Sequence, residues 1–153
     1  MAIEEARSRM TPKLIDSLYV EAMVLADEAR AYFDRNGRDD RMALDPLVRV
    51  GFSCESLKVT TRLMHVIAWL LTQRAVEAGE LTSLQARKPA RRLGDATDSD
   101  PDLLDKLPAS ALQLVQASSE LYARVRRLDE GTAAITPQPS PARTLLSRLE
   151  RSL

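Results

Sequence analysis

The residues that could do chemistry in this 153-residue chain are few, and they do not assemble into a catalytic set. Cys54 is the single cysteine and His65 the single histidine. One of each cannot build a usual zinc site, and no second thiol exists for an internal disulfide. Cys54 falls on an apolar helical seam with only Lys58 as a nearby cation on its own face, so it reads as a small core residue rather than a reactive thiol. His65 reads as a polar or interfacial side chain rather than a general base. No phosphate loop, dinucleotide fingerprint, HExxH, CxxC or GxSxG occurs. The cluster Arg87, Lys88, Arg91, Arg92 contains Pro89 and no interleaved aromatics, which marks a solvated loop rather than a grip on nucleic acid. Asp95 to Asp105 lacks the spacing of a calcium loop. No cofactor or metal is therefore expected.

Glu55, Arg62 and Trp69 stand two helical turns apart from one another and form one column. A charged pair in an otherwise apolar face means either that solvent lies nearby or that the arginine fork and the tryptophan anchor a partner. Glu55 and Arg62 are taken here as candidate partner-binding residues. Thr60 and Thr61, in mid-helix, should bond back to carbonyls one turn earlier.

The element that positions this column is a long helix apolar on two sides. One stripe runs Leu47, Val50, Cys54, Leu57, Thr61, Met64, Ala68, Leu71, Ala75 with strict 3,4 spacing, the pattern of a seam packed along its length. The other runs Val48, Phe52, Val59, Val66 and Trp69 on the opposite side. The first is expected to face the subunit core, and the second, through Phe52, Val59, Val66 and Trp69, to form a homodimer interface.

Low aromatic content (4%), scarce Gly and abundant Leu, Ala and Arg suit an all-α fold. Thr11-Pro12 and Asp45-Pro46 are cap-plus-proline helix starts, and Asn36-Gly37 and Gly79 supply stops. Helices are expected over about 12–35, 46–78 and 102–130, with the seam of the first at Ile15, Leu18, Ala22, Leu25, Ala29 and Tyr32. That of the last is Ala111, Leu114, Ser118, Leu121, Val125 and Leu128, with Gly131 beyond its end. Residues 80–100 read as a mobile connection with a short helix near 82–88, and 1–10 as a flexible N-terminus. The resulting fold class is an antiparallel, up-down-up three-helix bundle spanning 11–131. Beyond it, 132–153 is a proline-containing tail whose Leu145, Leu146, Leu149 and Leu153 share one helical face and form a candidate docking motif.

Net charge is zero, but residues 46–92 carry 8 basic and 3 acidic groups while 93–131 carry 4 and 8. Segregation of this kind helps segments dock on one another, and a pI near 6.6 argues against nucleic-acid binding. The N-terminus lacks a signal peptide's apolar core, and the longest uncharged run of the long helix, 63–73, is far below the ~20 residues of a membrane span. The expectation is a soluble cytoplasmic protein with no membrane or nucleic-acid partner.

The runs Glu55-Ser56-Leu57, Thr60-Thr61-Arg62-Leu63-Met64, Trp69-Leu70-Leu71, Gln73-Arg74-Ala75-Val76 and Gly79-Glu80 resemble the signature of the RcdA family, the regulators of CtrA degradation. The resemblance implies a homodimeric three-helix bundle with a flexible C-terminal tail, used in alphaproteobacterial cell-cycle control. It also implies a non-enzymatic adaptor that helps deliver regulators to the ClpXP protease, with a phosphorylation-controlled response regulator and, in some cases, a cyclic-di-GMP effector protein. It carries over no catalytic residue. A chorismate-mutase-type enzyme is the alternative from another class, but it needs several Arg or Lys aimed into the bundle, where the seams are apolar. A helical DNA-binding regulator needs a short recognition helix after a tight turn.

Overall fold

A computed structural model of the protein describes residues 12–133 and 141–152. Three long helices make the body: α1 (Pro12–Ala31), α3 (Pro46–Glu77) and α6 (Ala109–Ala133). Between them lie α2 (Arg38–Met42), α4 (Ser83–Ala86) and α5 (Pro101–Leu104), and α7 (Pro141–Ser152) follows. The fold is all-α, as expected.

Pro46 opens α3 behind Asp45, whose extended backbone (φ −58°, ψ 150°) sets the entry, and Gly79 at φ +77° ends the run. Gly79 is the place where a left-handed residue is required. Gly37 is not: its φ is −87°, and α1 ends in a π-helical turn, Tyr32–Asn36. A Cβ on Gly37 would lie 2.7 Å from the Tyr32 carbonyl oxygen, so the glycine serves close approach rather than handedness. Residues 38–44, between the first two expected helices, include α2, and α6 runs through Gly131 to Ala133. The short helix near 82–88 is α4, fixed by reciprocal Thr82–Gln85 capping.

The direction of the third long helix departs from the up-down-up expectation. Asp16 meets Arg74, and Tyr32 and Phe33 meet Phe52, so α1 and α3 are antiparallel. Arg62 meets Ser118 and Trp69 meets Asp129, however, so positions on α3 and α6 advance together and the two helices run parallel. Glu21 on Arg124 is consistent, placing α6 antiparallel to α1. The antiparallel assignment is therefore corrected to up-down-down. Parallel neighbours need a long crossover, and residues 79–108 supply it.

That crossover folds back along the bundle. Going from its N-terminal to its C-terminal end, Arg92 bonds Asp129, Gly94 receives Tyr122 and abuts His65, Thr97 and Ser99 meet Arg62, Ser99 and Asp100 meet Glu55, and Leu103 covers Gly51. It descends α3 from the level of His65 to that of Gly51, antiparallel to it. Leu93, Ala96, Leu103 and Leu104 pack against the core. The connection read from sequence as mobile is thus a strap pinned at both ends. A Cβ on Gly51 would lie 2.6 and 2.7 Å from the Leu103 methyl groups. Gly51→Val is expected to push α5 outward and cost about 1–3 kcal/mol, read as a lower thermal midpoint.

The core lies among α1, α3 and α6: Ile15, Leu18, Ala22 and Leu25 meet Val59, Leu63, Val66 and Leu70, with Val115, Leu121 and Val125 from α6. Tyr32, Phe33 and Phe52 close one end in edge-to-face contacts with centroids 5.2 to 6.2 Å apart.

Candidate functional site

Two faces of α3 carry what is distinctive in this molecule, and their burial is the reverse of the sequence expectation. Phe52, Val59, Val66 and Trp69, assigned to a dimer interface, are 0–2% exposed and form the subunit core. They cannot meet a second copy without unfolding the first. The seam assigned to the core points outward instead, with Leu47 86% and Leu57 68% exposed, Val50, Met64 and Leu71 also exposed, and Cys54 free at the surface. The two stripes do lie on opposite sides of the helix, as read. A 3,4 aliphatic seam fits a contact with a neighbouring molecule as well as it fits a core, so spacing alone does not choose between them.

Bulk does choose. The largest side chains of α3, Phe52 and Trp69, sit on the stripe that needs three-dimensional packing, whereas the outward stripe mixes Leu and Met with Cys, Thr and Ala.

Every exposed residue of α3 from Leu47 to Leu71 is uncharged: Leu47, Val50, Ser53, Cys54, Leu57, Thr60, Thr61, Met64, Ala68 and Leu71. Thr60 and Thr61 give their hydroxyl protons to the carbonyls of Ser56 and Leu57, as expected, so these side chains make little demand on solvent. Over twenty-five residues of helix, about 37 Å, the exposed positions are therefore all uncharged, with Arg49 and Lys58 half-buried among them. Surfaces of this extent on a folded domain mark an interaction site. Signals for it were present in the sequence as the absence of Arg, Lys, Asp and Glu from that stripe.

Glu55 and Arg62, taken as outward partner contacts, are 1% and 3% exposed and belong to a hydrogen-bonded floor beneath the strap. Arg62 donates to the Thr97 carbonyl (3.1 Å), the Ser99 hydroxyl (2.7 Å) and the Ser118 hydroxyl (3.3 Å). Glu55 accepts from Ser99, from the Asp100 amide (3.2 Å) and from Lys58 (2.9 Å). Burial opposes ionisation of Glu55, yet the bonds from Ser99, Lys58 and Asp100 prevail and hold its carboxyl below the usual glutamate range. Burial likewise lowers Arg62, countered by the charges of Glu55 and Asp98. Farther up, Asp129 accepts from the Trp69 indole (2.9 Å) and from Arg92 (2.8 Å to each oxygen). Ser99, Ser118 and Asp129 were missed in the sequence; Ser118, a hydroxyl in the middle of a core seam, was the visible signal.

Leu145, Leu146 and Leu149 are exposed on α7, whose first residue is Pro141, while Leu153 and the 1–10 segment lie outside the described residues. The open cleft at the end of the strap, lined by Arg92, Asp95, Arg126, Asp129 and Glu130, mixes both signs and already spends Arg92 on Asp129. Among the described residues no group of three or more His, Cys, Asp or Glu side chains could hold a metal ion, and no helix is long and apolar enough to cross a membrane.

The body is all-α, and its longest helix turns outward a face whose exposed residues carry no charge. The family model described as Protein of unknown function (DUF1465) matches residues 6–153, and the chain belongs to that family. The crystal structure of RcdA from Caulobacter crescentus CB15 is similar at 35% identity and a TM-score of 0.68, covering 82% of this chain and 96% of that one. No curated protein matches the chain.

Proposed function

We propose that this chain is a non-enzymatic adaptor that helps deliver cell-cycle regulators to the ClpXP protease in the cytoplasm, in concert with a response regulator. The likeness to RcdA supports the role, and the uncharged face of α3 is the observation that carries the interaction reading. Its exposed side chains offer mainly apolar contact and no charged group, which suits holding a protein rather than transforming a small molecule.

The test is reconstitution. ATP-dependent loss of a cell-cycle regulator by purified ClpXP and response regulator should accelerate when the chain is added. Equal rates with and without it, across candidate cargoes, would refute delivery. Turnover of chorismate or tight binding to labelled DNA would point to the other classes.

The adaptor is proposed to be a homodimer, formed across the exposed α3 face rather than the stripe first assigned. An uncharged seam with small residues (Cys54, Thr61, Ala68) between large ones (Leu57, Met64) can pair with its own copy. Leu57→Glu with Met64→Glu should give a folded monomer at micromolar concentration by sedimentation. A wild-type chain that is already monomeric there excludes the dimer.

The tail is proposed to dock through Leu145, Leu146 and Leu149. A 12-residue helix is marginal in water and gains stability on a groove. Truncation after Ala133 should leave the thermal midpoint within a few degrees while weakening capture of cargo or protease. Unchanged capture would leave the tail without that role.

A further inference from the structure

We propose that the groove between α3 and α6 is a binding groove for an extended acidic peptide, occupied in the resting chain by the strap residues 93–100, which a partner segment of the same chemistry displaces.

The strap has the form of a bound peptide. Residues 93–100 adopt neither helix nor strand, and side chains from the two flanking helices hold them largely by the backbone. Tyr122 of α6 donates to the Gly94 carbonyl at 2.6 Å, Arg62 of α3 to that of Thr97, and Glu55 accepts the Asp100 amide. Contacts to main-chain atoms recognise an extended chain whatever its origin, and one hydroxyl, Ser99, is read between Glu55 and Arg62. One position is selected by size, since a Cβ on Gly94 would run into the His65 ring.

Charge gives the groove its preference. The strap carries Asp95, Asp98 and Asp100, while the flanking helices carry Arg62 and Arg126 beside Glu55 and Asp129; Asp98 acts electrostatically on Arg62 and Asp95 on Arg126. The Arg62 guanidinium is buried, yet its three hydrogen-bond acceptors are uncharged oxygens. A peptide that set a carboxylate there would satisfy it better than the strap does.

The strap can leave without pulling the bundle apart. The crossover, 79–108, must span a 32-residue helix of about 48 Å, and 30 residues of extended chain reach about 100 Å. The polar part of the floor, Glu55, Arg62, Ser118 and Asp129, can be rehydrated when uncovered, while Leu93 and Ala96 give up their contacts with the core.

The test uses the full chain and a fluorescein-labelled peptide of residues 92–101, read by anisotropy, and does not depend on the adaptor reading. Gly94→Val in the chain should expel its own strap and leave the groove free for the peptide in trans. Its apparent affinity should then exceed that of the wild-type chain by about tenfold or more, because the wild-type groove is competent only when open. The peptide carrying Gly94→Val, or Asn at its three Asp positions, should not bind, and added salt should weaken the native peptide. A Gly94→Val chain that keeps its helical circular dichroism and binds no better than wild type overturns the proposal. A second measurement needs no variant: in native-state hydrogen exchange on the wild-type chain, the amides of 94–100 should open in a separate step, well before those of 59–70. Shared protection of the two segments also overturns it.

Discussion

Val66→Glu should leave no folded protein. Val66 is fully buried in α3 among Val59, Leu63 and Leu70, and the substitution removes about 1.5 kcal/mol or more of apolar burial while placing a carboxylate where nothing can pair with it. Desolvating that charge costs several kcal/mol more, against a total stability of about 5–15 kcal/mol for a domain of this kind. Circular dichroism should show no cooperative thermal transition. Val50→Glu makes the same chemical change on the same helix at a side chain that is 62% exposed, and it should shift the midpoint by no more than a few degrees. An unfolded Val50 variant beside a stable Val66 variant would mean that the faces of α3 have been assigned the wrong way round.

The pair of substitutions also marks where the sequence was ambiguous. Helix periods, the Pro46 start and the Gly79 stop follow from local chemistry, and α1, α3 and α6 lie close to where the pattern puts them. The seams of α1 and α6 were legible as well: Ile15, Leu18, Ala22, Leu25 and Ala29, and Ala111, Leu114, Leu121 and Val125, are all buried. Those helices have one apolar face each, so periodicity decides. The long helix has two, and periodicity finds both without ranking them.

Helix direction failed for a different reason. A short loop forces antiparallel neighbours, but the 30 residues from Gly79 to Pro108 are long enough to return along the bundle, and nothing local in Pro89, Gly94 or Pro101 says that they do. Glu55 and Arg62 then looked exposed because charge is usually solvated. Their solvation is supplied by Thr97, Ser99, Asp100 and Ser118, 35 to 56 residues away in sequence, so no helix-level pattern could place them.

Arg62→Ala should cost about 3–5 kcal/mol, the range for removing one member of a buried charged network. The truncation withdraws the donors to Thr97, Ser99 and Ser118 at once and leaves Glu55 buried with Lys58 as its remaining cation. Glu55→Ala should cost a similar amount by releasing Ser99 and the Asp100 amide. Because Ser99 bridges the two, donating to Glu55 and accepting from Arg62, the double variant should lose less than the sum of the singles. Strict additivity would mean that the two groups stabilise the fold separately. Acid provides the independent readout. The Glu55 carboxyl is held below its unfolded value, so its contribution is fully present above about pH 4.3, the ordinary glutamate value, and fades as pH falls through the lower folded value. Glu55→Gln should therefore be less stable than wild type at neutral pH, and the difference should shrink as the solution is acidified below pH 4. A gap that stayed constant down to pH 2 would assign the loss to packing of the side chain rather than to its charge, and the strap would then be held by shape alone.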